Sequence, residues 1–400
     1  MKILLFANTD WYLYNFRRSL AQALREAGHE VLLVSPPGPY GALLQDLGFR
    51  WMAAPMQRRS LNPLRELALV LWLRRLICRE QVDLVHSFTI KCAVYGSLAA
   101  RSAGRVRVNA VAGMGYVFTS NDLLARCLRP VVRGLLRLGL GGAGSRVVLQ
   151  NPDDVALFER AGLVDAARVR LIPGSGVNCQ RFSPALLAGQ PDPADVLRVV
   201  LPARLLWDKG LAEFVEAARL LKAEARKVQC LLAGDPDPGN PAAVPEATVR
   251  AWAEAGLVQW LGHVDDMPAL LGSVHVVALP SYREGLPKGL IEAGGCGLPL
   301  ITTNVPGCRE VVSDGVDGLL VPARNPRALA DAIARLQDEP VLRQRLGQAA
   351  RAKALAQFDE RLVIERTMAV YAELLGDHVQ PNAQLSVGAP KAVSQGASTS

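Results

Sequence analysis

Short apolar runs alternate with stretches of helical period from the start of the chain. "KILLFA" (2–7) is followed by "FRRSLAQALREAGH" (16–29) and at once by "EVLLVS" (30–35). Gly28 closes the helical stretch, the pattern of a strand–helix–strand unit in a parallel sheet. "VDLVHSF" (82–88) and "RVRVNAVAG" (105–113) read as further strands, and "SRVVLQN" (145–151) hands over to a helix in "PDDVALFERAGL" (152–163). Residues 174–196, rich in Gly, Pro, Ser and Asp, break the alternation and read as a linker. It then restarts with "LRVVLPARL", the helix "GLAEFVEAARLLKAEA", "VQCLLAGD", a helix over 246–256, "VQWLG", a short helix over 267–273, "VHVVALPS", "PLITTN" and "GLLVP", with terminal helices from 326. The pattern predicts an α/β protein of two doubly wound, Rossmann-like domains facing a cleft, over 1–183 and 184–376, with terminal helices free to pack back on the first domain. Residues 377–400 lack periodicity and read as a disordered tail.

Composition agrees with two cores: 400 residues exceed one ordinary domain, and half of them are apolar. The charge is uneven. Residues 1–185 carry 24 Lys/Arg against 12 Asp/Glu, so the net +8 resides in the N-terminal half, which suits a nucleic acid, an anionic membrane surface or a phosphorylated substrate. Seven cysteines, an odd number without a CxxC, argue against a disulfide framework and fit a reducing cytoplasm. "MKILLFA" is too short for a signal peptide, and no apolar run reaches the roughly 18 residues of a spanning helix.

The chemistry concentrates in "LPSYREGLPKGLIEAGGCGLP" (279–299), where a strand hands over to a helix. Pro287 suits a first helical position, and Gly285 and Gly289 allow close backbone approach. A helix start at the carboxyl end of a parallel strand attracts anions. Glu284 and Glu292 would repel phosphate unless they address uncharged hydroxyls on either side of it. A diphosphate flanked by hydroxyl-rich rings is a nucleotide sugar, with Glu284 on the sugar and Glu292 on the ribose diol. The bland alternative makes Glu284 a solvated loop residue and Glu292 an arginine's partner. In "LPARLLWDKGL" (201–211), Arg204 and Lys209 end a strand before a helix, where two cations can straddle a diphosphate.

Together these segments resemble the family 4 retaining glycosyltransferases of the GT-B fold. "PSYREGLPKGLIEA" is similar to their E-x7-E signature, "ARLLWDKG" to their diphosphate-binding Arg and Lys, "GSGVNCQRF" to their interdomain segment, and "EVVSDGVDGLLVP" to the segment after the signature. The resemblance implies that Arg204 and Lys209 bind the donor diphosphate and Glu284 the transferred sugar. It also implies that Glu292 binds the ribose, that amides of Gly285 and Leu286 meet sugar or phosphate, and that His263, in "LGHVDD", lies by the base. The N-terminal half has "NTDWYLYNFR" and "NAVAGMGYVF" where many relatives have a glycine pair and a His. In both it resembles a bacterial subgroup that extends polyprenyl-diphosphate-linked sugars. That implies a UDP-sugar donor, an N-acetylhexosamine such as GalNAc, an undecaprenyl-diphosphate-linked acceptor, and peripheral attachment to the cytoplasmic face of the plasma membrane. UDP-sugar is then a substrate, and no cofactor or metal is expected.

The mechanism that fits is front-side displacement, with Arg204, Lys209 and helix amides stabilising the leaving diphosphate. Acceptor-side candidates are Asp10, His86, Gly113 and Tyr116. Asp10 suits a helix cap equally well, and His86 a near-core histidine. "DPD" (235–237) looks like a metal-binding DxD, but the Pro/Gly content of "GDPDPGNP" favours a turn. In "DLLARCLRPVVRGLLRLGL", Arg126, Arg129, Arg133 and Arg137 recur on one helical face opposite leucines, with Pro130 expected to interrupt or kink the helix. "RRSLNPLRELALVLWLRRLICRE" adds Trp72 in a second basic-flanked apolar segment. Both stretches are candidates for membrane contact; as core-packing helices they would need no membrane.

A nucleotide-sugar epimerase on the same scaffold would want acid/base residues around the sugar and no membrane-facing domain. A nucleic-acid-binding protein would interleave basic and aromatic residues, and the 6% aromatic content and acidic C-terminal half argue against one.

Overall fold

A computed structural model of the chain describes residues 1–57, 60, 62–111, 123–189, 196–237 and 239–376. Among them, two wholly parallel sheets follow one another. The first holds β1 (Lys2–Phe6), β2 (Glu30–Ser35), β3 (Arg50–Ala53), β4 (Leu84–Phe88), β5 (Val106–Ala110), β6 (Ser145–Leu149) and β7 (Val169–Leu171), in the order β3-β2-β1-β4-β5-β6-β7. The second holds β8 (Leu197–Pro202), β9 (Val228–Ala233), β10 (Gln259–Trp260), β11 (Val276–Leu279), β12 (Leu300–Thr303) and β13 (Gly318–Val321), in the order β10-β9-β8-β11-β12-β13. Strand order reverses between β1 and β4 and between β8 and β11, and crevices for ligands form at such switch points.

Side chains of β1 show why the strands read as unbroken apolar runs. Ile3 and Leu5 enter one buried cluster and Leu4 and Phe6 another, so helices cover both faces of the sheet. The helix Glu360–Leu375 supplies Val363, Met368, Val370 and Tyr371 to the cluster containing Ile3 and Leu5, which returns the chain's end to the first sheet. The linker stretch lies against that return: Val177 N–H donates to Phe358 O at 2.9 Å, and Glu360 N–H donates to Val177 O at 3.0 Å.

One helix differs from expectation: it begins at Asp10, six residues before the periodic stretch, where Thr9 Oγ1 accepts from Tyr12 N–H. It widens into a π-turn over Leu13–Arg17 and resumes at Arg18, and the extra residue in the turn disturbs the 3.6-residue period. The helix Leu123–Leu140 continues through Pro130. No described helix is long and apolar enough to cross a membrane. Gly113, Tyr116, the side chain of Arg126 and the expected tail lie outside the described residues.

Candidate active site

The second sheet's switch point brings together the two segments singled out above. Arg204 and Lys209 follow β8, and the loop 280–287 follows its neighbour β11. The two segments interlock through the backbone: Tyr282 N–H donates to Asp208 O at 2.8 Å, and Ser281 Oγ lies 3.1 Å from the same carbonyl. Gly210, at φ +76°, makes this possible, because a Cβ there would lie 2.1 Å from Pro280 O. On the other side, Gly307 at φ +84° passes so close to the Glu284 carbonyl that a Cβ would stand 2.4 Å from its oxygen.

Glu284 is thereby held beside Lys209, Nζ to Oε1 at 2.5 Å, and accepts from Ser281 Oγ at 2.7 Å. Their side chains keep 11% and 18% of their exposure, so the pair is largely withdrawn from water. Arg204 is more open and pairs with Asp237 at 2.7 Å, which Asn240 also bonds. Asp237, the second acid of the "DPD" stretch, is thus the guanidinium's counterion within a turn.

The helix after the loop runs Lys288–Cys296, so Pro287 is its N-cap and the helix starts one residue later than expected. Glu292, one turn in, is enclosed; burial raises its carboxyl pKa, opposed by Lys288 at 3.5 Å and by Arg181. His263 stands half-exposed beyond β10, 3.2 Å from Asp265. Arg204, Lys209, Glu284, Gly285, Leu286 and Glu292 therefore cluster around two adjacent strand ends. The arrangement offers two cations for a diphosphate and two carboxylates for hydroxyls.

On the N-terminal side, Asp10 is buried and committed. Its carboxylate accepts from Trp11 N–H at 2.8 Å, Tyr40 N–H at 2.7 Å and Gly41 N–H at 2.9 Å, capping the helix Tyr40–Asp46. His86 is 2% exposed, bonded through Nδ1 to Tyr371 Oη at 2.6 Å and in tilted ring contact with Phe88; burial, with Arg17 nearby, pushes its pKa well below the usual imidazole value. It is a neutral histidine inside the domain, its Nε2 without a partner. Of the basic face, Arg133 is exposed, whereas Arg137 donates to the carbonyls of Ala161 and Gly162 at the end of the helix Pro152–Arg160. Arg129 is half-buried, and Trp72 packs partly buried against the cluster around Leu4 and Phe6.

Sequence reasoning missed the residues that join the two halves at this site. Asn151 Nδ2 donates to Gly285 O at 2.8 Å, Arg283 pairs with the buried Asp154 at 2.5 Å, Arg309 pairs with Asp153 at 2.7 Å, and Lys288 Nζ donates to Asn15 O at 2.8 Å. "NPDD" signals a helix start through its Asn and Pro, but its partners more than a hundred residues away carry no local signal.

Comparison with known proteins matches both halves of the chain. Residues 15–174 match the family described as "Glycosyl transferase 4-like domain", and residues 197–339 match "Glycosyl transferases group 1". The chain is 28% identical over 384 residues to the Campylobacter jejuni N,N'-diacetylbacillosaminyl-diphospho-undecaprenol alpha-1,3-N-acetylgalactosaminyltransferase, covering 94% of this chain and 99% of that one. It is 26% identical to the Escherichia coli UDP-Gal:alpha-D-GlcNAc-diphosphoundecaprenol alpha-1,3-galactosyltransferase, covering 78% of this chain and 80% of that one. Among solved structures, HepE of Anabaena in complex with UDP and glucose superposes with a TM-score of 0.75 at 21% identity, over 93% of this chain and 99% of HepE. WaaG, a glycosyltransferase of lipopolysaccharide biosynthesis, gives 0.69 at 16% identity, over 94% of this chain and all of WaaG. With both halves matched and the paired sheets superposed, the chain belongs to the glycosyltransferases that join a 4-like N-terminal domain to a group 1 C-terminal domain on the GT-B fold.

Proposed function

We propose that this glycosyltransferase moves a sugar, an N-acetylhexosamine such as GalNAc, from a UDP-sugar to an undecaprenyl-diphosphate-linked saccharide, with retention at the anomeric carbon. The observation that carries the reading is the grouping of Arg204, Lys209, Glu284 and Glu292 around the β8/β11 switch point. The relatives that act on diphosphoundecaprenol-linked sugars support the choice of acceptor.

In this reading Arg204 and Lys209 turn from Asp237 and Glu284 to the donor diphosphate, and Glu284 and Glu292 accept from sugar and ribose hydroxyls. The acceptor hydroxyl attacks C1 from the face that the diphosphate leaves. The C1–O bond to phosphate breaks, the new glycosidic C1–O bond forms, and the hydroxyl proton passes to the departing phosphate oxygen. The two cations neutralise the growing charge on UDP, so the step draws on no metal or cofactor. Glu292, an acceptor whose pKa burial raises, suits the hydroxyls of a neutral diol better than a phosphate.

The acceptor's lipid calls for an N-terminal domain resting on the cytoplasmic membrane face. Support comes from the helix Pro63–Arg79, where Leu64, Leu67 and Leu71 stand 78%, 57% and 45% exposed at helical spacing, with exposed Arg65, Arg74 and Arg75 nearby. Val131 and the exposed Arg133 on the helix Leu123–Leu140 add to it. The test incubates the purified chain with a panel of UDP- and GDP-sugars and an undecaprenyl-diphosphate-linked disaccharide, following acceptor mass and anomeric configuration by NMR. A mass gain of one hexosamine with retained configuration is expected. Donor conversion without acceptor gain would overturn the reading in favour of an epimerase or hydrolase.

A further inference from the structure

The run 283–288 has two sides. Glu284 points back into its own domain, toward Lys209 and Ser281. Its neighbours reach the N-terminal half instead: Arg283 to Asp154, Gly285 O to Asn151, Leu286 against Gly174, and Lys288 to Asn15 O. We propose that the turn joining β6 to the helix Pro152–Arg160 is a catch that sets the donor loop in its working conformation when the two domains meet, with Asn151 and Asp154 as positioning residues. The inference rests on the glycosyl-transfer reading of the same site.

Burial and bonding of the catch carry the argument. Asn151 is fully buried: its Oδ1 accepts from Asp154 N–H at 2.8 Å as the helix cap, while its Nδ2 donates to Asp154 Oδ2 at 3.0 Å and to Gly285 O at 2.8 Å. Asp154 is 1% exposed, and its other oxygen takes Arg283. A carboxylate this deeply enclosed needs its cation, and the cation comes from the other domain. Drawing the domains apart would leave the Gly285 carbonyl and Asp154 without these partners, so the catch favours the closed arrangement.

The hydrogen bond to Gly285 O also acts on the donor side. A carbonyl and the following amide lie in one rigid plane and point in opposite directions. Holding Gly285 O toward Asn151 therefore turns Leu286 N–H away from the N-terminal domain's turn, and this amide is one of those expected to meet the donor's sugar or phosphate. Leu286 itself is seated against Gly174, where a Cβ would come within 2.9 Å of its side chain. Closure and orientation of a donor amide are thus one event, and an open enzyme would hold UDP on Arg204, Lys209 and Glu292 without a completed site.

The variant Asn151→Ser tests this, because serine keeps the helix cap and lacks the reaching amide; Arg283→Gln removes the cation. Each variant and the double variant are assayed with UDP-sugar and lipid-linked acceptor. UDP affinity is measured by calorimetry, melting by scanning calorimetry, and radius of gyration by small-angle scattering with and without UDP. The expected result is a kcat lower by roughly tenfold to a hundredfold, the factor for one buried hydrogen bond. UDP affinity should stay within about threefold in each variant; Asn151→Ser should melt close to wild type, Arg283→Gln should melt lower because it strands the buried Asp154, and the double variant should have a larger radius. Wild-type kcat and radius in the double variant would overturn the catch, as would a fall in both UDP affinity and melting temperature in Asn151→Ser, which would mark a merely structural role. If the wild type transfers no sugar from any donor while the double variant still opens in scattering, the catch stands and the glycosyl-transfer reading fails.

Discussion

Lys209 and Glu284 form a pair whose two contributions, to stability and to donor binding, can be separated. Replacing Lys209 by Met removes the cation 2.5 Å from a carboxylate whose side chain is only 11% exposed. Breaking a fully buried pair costs about 3–5 kcal/mol, and an exposed pair contributes about 0.2–1 kcal/mol. The Lys209 side chain retains 18% exposure, and Ser281 Oγ still donates to Glu284 at 2.7 Å, so Lys209→Met is expected between these limits, at about 2 kcal/mol. At roughly 2–4 °C per kcal/mol for a domain of this size, the melting temperature falls by about 4–8 °C. Neutralising the stranded acid in Lys209→Met/Glu284→Gln should recover most of that loss, because no unpaired charge remains. Neither variant should transfer sugar, since both lack the cation proposed to meet the diphosphate. The assay is scanning calorimetry of wild type, both single variants and the double variant, with transfer rates alongside. If the double variant melts as low as Lys209→Met, the loss is one of packing and the charge argument fails; if Lys209→Met transfers at the wild-type rate, Lys209 does not meet the donor.

Gly307→Ala should destabilise the protein by at least about 1–2 kcal/mol from its φ of +84° alone, and should cut kcat further because the new Cβ displaces the Glu284 carbonyl 2.4 Å away; melting and kinetics check both. Glu292→Gln removes a carboxylate whose pKa burial has raised, so melting at pH 7 should hold or rise while UDP affinity falls roughly tenfold, the factor for one hydrogen bond to a charged acceptor, read by calorimetry. His86 has a depressed folded pKa, so the unfolded chain binds the extra proton: its contribution is fully present above about pH 6.5 and is lost as pH falls below that, at roughly 1 kcal/mol per unit. Denaturation of His86→Gln from pH 7 to 5 should show a shallower fall than wild type, and an unchanged slope would refute the assignment.

The strands were legible because each is covered on both faces, which writes itself into the chain as an unbroken apolar run. Helix positions were legible where a cap and a period agree, as at Asn151 with Pro152, and less so where the backbone departs from 3.6 residues per turn, as in the π-turn at Leu13–Arg17. Asp10 was left between acceptor contact and cap, and what decides it is distant: two of the amides it caps belong to Tyr40 and Gly41, and no local pattern brings them back to residue 10. His86 likewise stands at a strand end like a catalytic residue and becomes a core residue only because Tyr371 returns from the end of the chain to cover it.

The same distinction runs through the site itself. Glu284 and Glu292 belong to a single stretch, so their pairing with a helix start can be read directly. What holds Glu284 in place cannot: Gly210 and Gly307 act because backbone atoms from remote segments pass within the volume of a Cβ, and the sequence records only that a glycine is there. Asn151 is further removed, since its amide reaches Gly285 O only across the junction of two sheets. A substitution at 284 or 292 therefore removes a group that would touch substrate, one at 210 or 307 moves such a group, and one at 151 leaves every donor ligand in place while releasing the geometry in which they act. Chemistry in this chain is written locally, and its timing is written in contacts between domains.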